Sequence, residues 1–357
     1  MDGRLELGLE VVVNDEDGSL SLRPHTAIPE PYVLSPGFAN AHSHLEYRGL
    51  QDRIRHKEYW PWIRELTRLK RDQDPEEVAA DALQAAIENY AGGVRTIEEH
   101  SDRPVAGLAI REAGLDAVIY QELITFFEQK SPAEKWAQVE SNAEINSSYG
   151  TLTHISPHSA FLVDEASLRR FAEARPFSIH VAETPFENEF FGEGKGPIAD
   201  LYRAQGFEPR VTGESVVAYL DRIGLVHNMA QFVHLCAVDD DDIARLVVGG
   251  VRIAHCPRSN ARLGCPIAPI RRMLDAYLNV EIGLDSAASS GPVDMFAEMQ
   301  EALEQSHQIG EPLRPEEVWR MASIGAPKRQ ADLIAIHVPD ALSTEDLIMR
   351  GSPELVG

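Results

Sequence analysis

The side chains best able to do chemistry in this sequence are histidines and acids that close short apolar runs. His42 and His44 end the segment Pro36-Gly37-Phe38-Ala39-Asn40-Ala41-His42-Ser43-His44. In an extended chain residues i and i+2 face the same side, so both imidazoles can address one metal ion. A lone His-x-His is more often a pair of solvated loop residues, and this one gains weight from three further run ends downstream. The run starting at Phe177 ends in His180-Val181-Ala182-Glu183, a third run carries His234 after Gln231-Phe232-Val233, and a fourth ends in Gly283-Leu284-Asp285-Ser286. Alone, Asp285 reads as a helix N-cap. A buried Asp without a partner is costly, however, so an acid directly after an apolar run also fits beside a metal or an ion pair. Four run ends that each supply a ligand-type side chain are hard to explain as coincidence.

The elements that must position them are read from the apolar pattern. Strands are expected at Val33–Asn40, Val94–Glu98, Ala117–Leu123, Thr151–Ser156, Phe177–Ala182, Gln231–Leu235, Val251–His255 and Val280–Leu284. Helical patterns lie between them: Pro75–Ala91, Glu134–Ile145, Asp164–Ala174, Asp239–Val248, Ile267–Tyr277 and Val293–Gln308. Pro75–Ala91 has Pro at its start, acids in its first turn and Gly92-Gly93 past its end. Strands alternating with helices over about 250 to 300 residues predict an α/β fold, a (β/α)8 TIM barrel, with a doubly wound open sheet as the competitor. Each of the four run ends then falls at the C-terminal end of a barrel strand, where that fold carries its active sites. Leu5–Val13, Leu20–Pro24 and Leu333–Val338 lie outside the alternation and suggest a small β-sandwich subdomain built from both termini, residues 1–34 and 326–357, beside a barrel of residues 35–325. Residues 190–210 read as an insertion over one rim of the barrel.

Composition narrows the partners. The chain has 357 residues, 43% of them hydrophobic, enough for a large core without staples. Its 33 basic and 57 acidic residues give a net charge of −24, which repels a phosphate backbone or an anionic membrane surface. A small-molecule substrate is therefore expected, with no nucleic acid and no membrane as partners, and a homo-oligomer is allowed. Cys236, Cys256 and Cys265 make no disulfide framework or zinc-finger spacing. With no secretory signal or bilayer-spanning run visible, a soluble cytoplasmic protein is expected.

The segments PGFANAHSH, HVAE, VHLC, HCPRSN and GLDS occur in that order. On these the chain resembles the amidohydrolase superfamily over nearly its whole length, specifically the cytosine deaminase and chlorohydrolase-like branch. The tail Lys328-Arg329-Gln330-Ala331-Asp332-Leu333 is similar to the G-K-x-A-D-L segment with which that branch re-enters its β subdomain, here without the Gly before the basic residue. The resemblance implies one divalent metal ion, zinc first and iron second, on His42, His44, His180 and Asp285. It also implies that His234 hydrogen-bonds the attacking water or the leaving group and that Glu183 shuttles protons. Binuclear relatives use a carboxylated lysine on the fourth strand; Thr151–Ser156 contains none, so a mononuclear site is expected, with Glu122 a further acid at the third strand end. A metal there would lower the pKa of water toward neutrality. Asp285 could take the water's proton, and Glu183 could protonate a ring nitrogen and then the departing amine.

Other segments suggest substrate contacts. Ser156-Pro157-His158-Ser159-Ala160-Phe161 resembles the P-H-A-P-Y segment of nucleoside-type members, which would turn His158 toward the substrate. His255 in HCPRSN is expected to support the rim. Arg48–Trp62, with Arg48, Arg53, Arg55, Tyr59, Trp60 and Trp62, has the residue types for a lid with aromatic walls and a cation, in which Arg48 and Trp62 would touch substrate. His56, His100, His154, His227 and His307 read as ordinary histidines.

The resemblance implies a hydrolytic deaminase of an adenine-type nucleoside. HSHLEYRGL and SPHSAF look like members acting on aminodeoxyfutalosine, an intermediate of menaquinone synthesis that carries a carboxyphenyl group. An arginine of the 48–62 segment would hold the carboxylate, and Tyr59, Trp60 or Trp62 the phenyl ring. Guanine, cytosine and S-adenosylhomocysteine deaminases and triazine chlorohydrolases are the alternatives, and the acid Glu183 favours deamination. A catalytically inert barrel would have lost ligands, whereas all four positions are filled here.

Overall fold

The computed structural model describes residues 3–13, 20–25, 32–173, 175–323, 333–338 and 340–354. The strands in chain order are β1 (Leu9–Val13), β2 (Leu20–Pro24), β3 (Tyr32–Pro36), β4 (Phe38–Ser43), β5 (Val94–Ser101), β6 (Asp116–Leu123), β7 (Leu152–Pro157), β8 (Phe177–Val181), β9 (Ala230–His234), β10 (Arg252–His255), β11 (Asn279–Ile282), β12 (Leu333–His337) and β13 (Ser352–Glu354). Strands β4 to β7 form one parallel four-stranded sheet and β8 to β11 another. The two sheets meet at both edges through isolated parallel bridges, Ser43 with Asp285 and Ser159 with His180. At the first seam the Asp285 N–H donates to the His42 carbonyl at 2.8 Å and the His44 N–H to the Asp285 carbonyl at 3.3 Å. At the second the His180 N–H donates to the His158 carbonyl at 3.0 Å. The closure of this α/β barrel is thus made by the backbone of the residues that carry the chemistry.

The sequence places the strands correctly except at the first. Val33–Asn40 is two strands, because Pro36 lacks an N–H donor and Gly37 separates β3 from β4. β3 leaves the barrel and pairs antiparallel with β12, which also pairs with β13, while β1 and β2 form an antiparallel pair of their own. The expected basic tail segment 328–332 lies outside the described residues.

The helices obey their capping signals. Pro75–Ala91 forms as expected, with the Asp74 carboxylate accepting the Glu76 N–H at 2.8 Å. Ile267–Tyr277 contracts to Ile270–Asp275, since Pro269 at the N-cap keeps the residues before it out of the helix. Asp164–Ala174 contracts to Glu165–Arg169. Residues 190–210, expected as an insertion over one rim, are not an irregular loop. They are largely taken up by the helices Pro185–Glu193 and Gly196–Ala204, with Gly194 in the left-handed region at φ 66° between them. Phe190, Phe191, Ile198 and Tyr202 of this pair are fully buried, and the Tyr202 hydroxyl donates to the Phe161 carbonyl. Burial of such side chains contributes roughly 2 kcal/mol each, which ties the pair to the main core.

Beneath the site the barrel interior is layered. Ala41, Val233, Ala254 and Cys256 form a small apolar layer. A polar plug lies below it: the Arg252 guanidinium pairs with Glu98 at 2.5 and 2.7 Å, and Tyr120 and Gln231 donate to the same carboxylate at 3.1 and 3.0 Å. The polar residues at the other end of the strands are therefore free of this network and converge on one another.

Candidate metal centre and active site

The strand ends bend sharply to aim their side chains. Ala182, His234, Leu235 and Asp285 have φ of 50°, 74°, 51° and 54°, in the left-handed region that non-glycine residues rarely adopt and that collects at functional sites. Gly283 is required by space: a Cβ there would lie 2.7 Å from the His42 Cβ and 2.9 Å from the Cys256 Sγ.

His42, His44, His180 and His234 converge at this rim. The Nε2 atoms of His44 and His180 are 3.3 Å apart, and the rings of His42 and His180 have centroids 4.9 Å apart. The His44 Nδ1 lies 2.9 Å from the His100 carbonyl and the His180 Nδ1 2.8 Å from the His158 carbonyl. A carbonyl only accepts, so both Nδ1 atoms carry hydrogen and both Nε2 atoms present lone pairs to the centre. The Nε2 of His42 is buried there without a hydrogen-bond partner.

Asp285 completes the group. Its Oδ1 is 3.7 Å from His42 Nε2 and 3.9 Å from His44 Nε2. Its Oδ2 accepts from the hydroxyls of Ser259 at 2.5 Å and Ser289 at 3.0 Å, which fixes the carboxylate plane. Burial alone would raise its pKa, but the facing imidazoles of His42, His44 and His234 outweigh it and hold the carboxyl well below the usual range. Donor atoms of His42, His44 and Asp285, and of His42, His180 and His234, lie within 4.8 Å of one another, as a metal ion requires.

A second pair adjoins this group. His234 Nε2 is 3.8 Å from Glu183 Oε1, and its Nδ1 is 2.9 Å from the Asn260 side-chain oxygen. Glu183 is 7% exposed; burial first, then Asp285 and Glu187, push its carboxyl well above the usual range, the direction that favours its protonated form. Burial holds His234 down at about 4, so its ring is neutral at pH 7. The Glu183 N–H donates to Glu187 Oε1 at 3.0 Å, and the Tyr59 phenol interacts with the Glu183 carboxyl.

A third polar group flanks His180. The His158 ring stacks on it at 4.6 Å, and the buried carboxyl of Glu122 lies 3.7 Å from His180 Nδ1 and 4.0 Å from His158 Nε2. Burial, followed by Asp102, pushes Glu122 up to about 8. Asp102 itself pairs with Lys70 at 2.6 Å, and Lys70 also donates to the Tyr47 hydroxyl. The Tyr47 ring stacks on His44 at 5.0 Å.

The lid expectation is redistributed. The Arg48 guanidinium is held by Glu88 through Nε and Nη2, at 3.0 and 2.7 Å, so it is already committed to a carboxylate of its own chain. Trp62 is buried with Tyr47, Leu50, Leu66 and Leu263. Tyr59 reaches Glu183, and Trp60 meets Phe186 edge-on at 6.5 Å. Arg53 and Arg55 are exposed. His255 is buried, held down at about 3 by burial and then His234, and its carbonyl accepts the Gly283 N–H at 2.9 Å.

One residue expected to be an ordinary histidine belongs to the site. His100, at the end of β5, is fully buried, and its Nδ1 is 2.9 Å from His42 Nδ1. The available signal was weak: His100 follows the second expected barrel strand as His42, His180 and His234 follow theirs, but Glu98 and Glu99 stand directly before it. Lys70 and Asp102 gave no such signal, as their placement depends on how the helix Tyr59–Arg71 docks.

Comparison with known proteins shows the fold and the family. An adenosine deaminase structure from Xanthomonas campestris with bound zinc superposes with a TM-score of 0.78 over 97% of this chain and 85% of that one, at 22% identity, which shows the shared fold. A 5-methylthioadenosine/S-adenosylhomocysteine deaminase of Haloarcula marismortui is 28% identical over 302 residues, 82% of this chain and 66% of the relative. An aminodeoxyfutalosine deaminase of Deinococcus radiodurans is 29% identical over 294 residues, 75% of this chain and 67% of the relative. The chain thus spans about two thirds of the length of these curated relatives. Among the described residues no helix is long and apolar enough to cross a membrane. Residues 33–330 match the Amidohydrolase family, and the chain belongs to it, a family of metal-dependent hydrolases.

Proposed function

We propose that this chain is a hydrolytic deaminase of adenine-type nucleosides. The observation that carries the reading is the 3.8 Å approach of the buried Glu183 carboxyl to His234 Nε2 beside the His42, His44, His180 and Asp285 group, with burial pushing the Glu183 carboxyl well above the usual range. Both curated relatives are named as deaminases of adenine-containing substrates, which supports the choice of base.

The residues fit a divalent metal, zinc first. Three imidazoles offer nitrogen lone pairs, two of them fixed by carbonyl acceptors, and one carboxylate oxygen faces them. When bound there, such an ion supplies Lewis acidity and makes water a competent nucleophile near pH 7. Glu183 holds a proton that a ring nitrogen of the base can take, which makes the adjacent amino-bearing carbon electrophilic. Asp285, with Oδ2 pinned by Ser259 and Ser289, keeps Oδ1 free to accept a proton from the nucleophile. His234 presents an unprotonated Nε2 toward Glu183 and steadies the same reaction centre. The amine departs as ammonia with the proton that Asp285 took from the nucleophile, and as the C–N bond breaks the hydroxyl proton of the adduct passes to Glu183, which restores both carboxyl groups. His158, whose buried Nδ1 has no partner among the described residues, and Glu122, 4.0 Å from its Nε2, are our candidates for contacts to the sugar.

Aminodeoxyfutalosine is our first substrate, on the HSHLEYRGL and SPHSAF segments and the Deinococcus relative. The Haloarcula relative favours a second reading, deamination of methylthioadenosine or S-adenosylhomocysteine; the Arg48–Glu88 pair leaves Arg53 and Arg55 as the arginines of the 48–62 segment open to an aromatic carboxylate. Ammonia release should be measured with zinc-loaded protein on aminodeoxyfutalosine, methylthioadenosine, S-adenosylhomocysteine, adenosine, guanine and cytosine. The proposal expects turnover confined to the adenine nucleosides, and activity on guanine or cytosine alone would overturn it.

A further inference from the structure

We propose that His100 is the positioning residue for both imidazoles of the His42-Ser43-His44 pair, its side chain setting one and its main chain the other. The inference rests on the reading of this group as a metal site and deepens it. His100 stands on β5, next to the strand that carries the pair, and is fully buried. Its carbonyl oxygen accepts the Nδ1–H of His44 at 2.9 Å. Its ring meets the His42 ring at a centroid distance of 4.2 Å, with the two Nδ1 atoms 2.9 Å apart.

Two ring nitrogens at that distance share one hydrogen, so one donates and the other accepts. The His42 Nε2 is the atom that faces Asp285, His44 and His180, and it can offer a lone pair there only if the His42 proton sits on Nδ1. His42 Nδ1–H is then the donor, His100 Nδ1 the acceptor, and the His100 proton lies on its Nε2. His180 and His44 take their orientation from backbone carbonyls, which no substitution removes. His42 alone of these three takes it from a side chain, so its tautomer hangs on the identity of residue 100. A neutral imidazole in this place accepts without adding charge, whereas a carboxylate there would put a charge on a fully buried side chain.

The test measures zinc affinity, not turnover. Wild type, His100→Phe and His100→Gln, as full-length proteins stripped of metal, are titrated with Zn2+ against a chromophoric chelator, and Co2+ absorption spectra are recorded for each. Phe keeps a planar ring but accepts nothing, while Gln restores an acceptor oxygen. The expected result is a 10–100-fold loss of zinc affinity in His100→Phe, the usual scale for losing the partner of a metal-binding histidine, with an altered Co2+ spectrum and recovery of most of the affinity in His100→Gln. Wild-type affinity in His100→Phe, or a loss in His100→Gln as large as in His100→Phe, overturns the proposal. If His100→Phe does not fold, His100→Met takes its place as the variant without a ring acceptor. A wild-type protein that binds no stoichiometric zinc overturns the metal-site reading itself, and it is distinguished because the failure precedes any substitution.

Discussion

His234 and Glu183 face each other with 3.8 Å between Nε2 and Oε1, and burial holds the imidazole down at about 4 while it pushes the carboxyl well above the usual range. A buried acid beside a buried base, at the edge of a three-imidazole and one-carboxylate group, is an arrangement for moving protons near a nucleophile.

Replacing Glu183 removes the proton donor without changing the shape of the site. Glu183→Gln is expected to keep its metal content and its substrate affinity while kcat falls at least about 10²-fold, the lower end for general acid–base catalysis. Steady-state kinetics alongside elemental analysis check this, and near-wild-type turnover would refute the role.

The candidate donor triads overlap through His42, His44 and His180, and β7 carries no lysine to bridge a second ion. We expect close to one divalent ion per chain by elemental analysis and loss of activity on chelation, restored by zinc. The apoprotein should also melt lower, because a ligand bound at about 100 times its Kd stabilises the native state by about 2.7 kcal/mol. Two tightly held equivalents would contradict the single-ion site.

Ser259 donates to Asp285 Oδ2 at 2.5 Å and fixes which oxygen faces the imidazoles. Ser259→Ala should weaken zinc binding or turnover by roughly 10-fold or more, as expected for a partner of a metal-binding side chain. Ser289 still holds the same oxygen, so the fold should be unchanged by circular dichroism.

Glu298 offers a pH test away from the metal group's ligands. It is fully buried, accepts the Arg258 N–H at 3.0 Å, and is pushed up to about 8 by burial, against 4.5 for an ordinary glutamate. Between these values the native protein holds a proton that the unfolded chain has released. Its contribution is therefore fully present below about pH 4.5 and is lost as the pH rises toward about 8, at no more than about 1.4 kcal/mol per pH unit. Glu298→Gln should flatten that decline in urea unfolding monitored from acid to alkaline pH. A slope identical to wild type would show that Glu298 does not titrate in this window.

Much of the site was legible because barrel strands end where chemistry is placed. A run of alternating or apolar residues ending in His or Asp, as at His42, His180, His234 and Asp285, reveals both the strand and the direction of its side chain. His100 escaped because its strand carries Glu98 and Glu99 before it, so the acids blurred the apolar run; Glu98 in fact turns inward to Arg252. The roles of Arg48, Trp62 and Lys70 were not legible for a different reason. Residue type says that an arginine can hold a carboxylate but not which one, and Glu88 lies forty positions further on, on the helix Pro75–Ala91. The Val33–Asn40 strand failed locally, since the pattern continued through Pro36-Gly37 while the hydrogen bonding did not.

The most direct test of the central claim is the fate of the base itself. An adenine nucleoside incubated with zinc-loaded protein in H2¹⁸O, with the products read by mass spectrometry, should yield one ammonia per nucleoside and a hypoxanthine product carrying one ¹⁸O on the ring, with the sugar and its 5′ substituent intact. An unchanged base, or cleavage at the glycosidic bond or the 5′ substituent instead, would contradict the account.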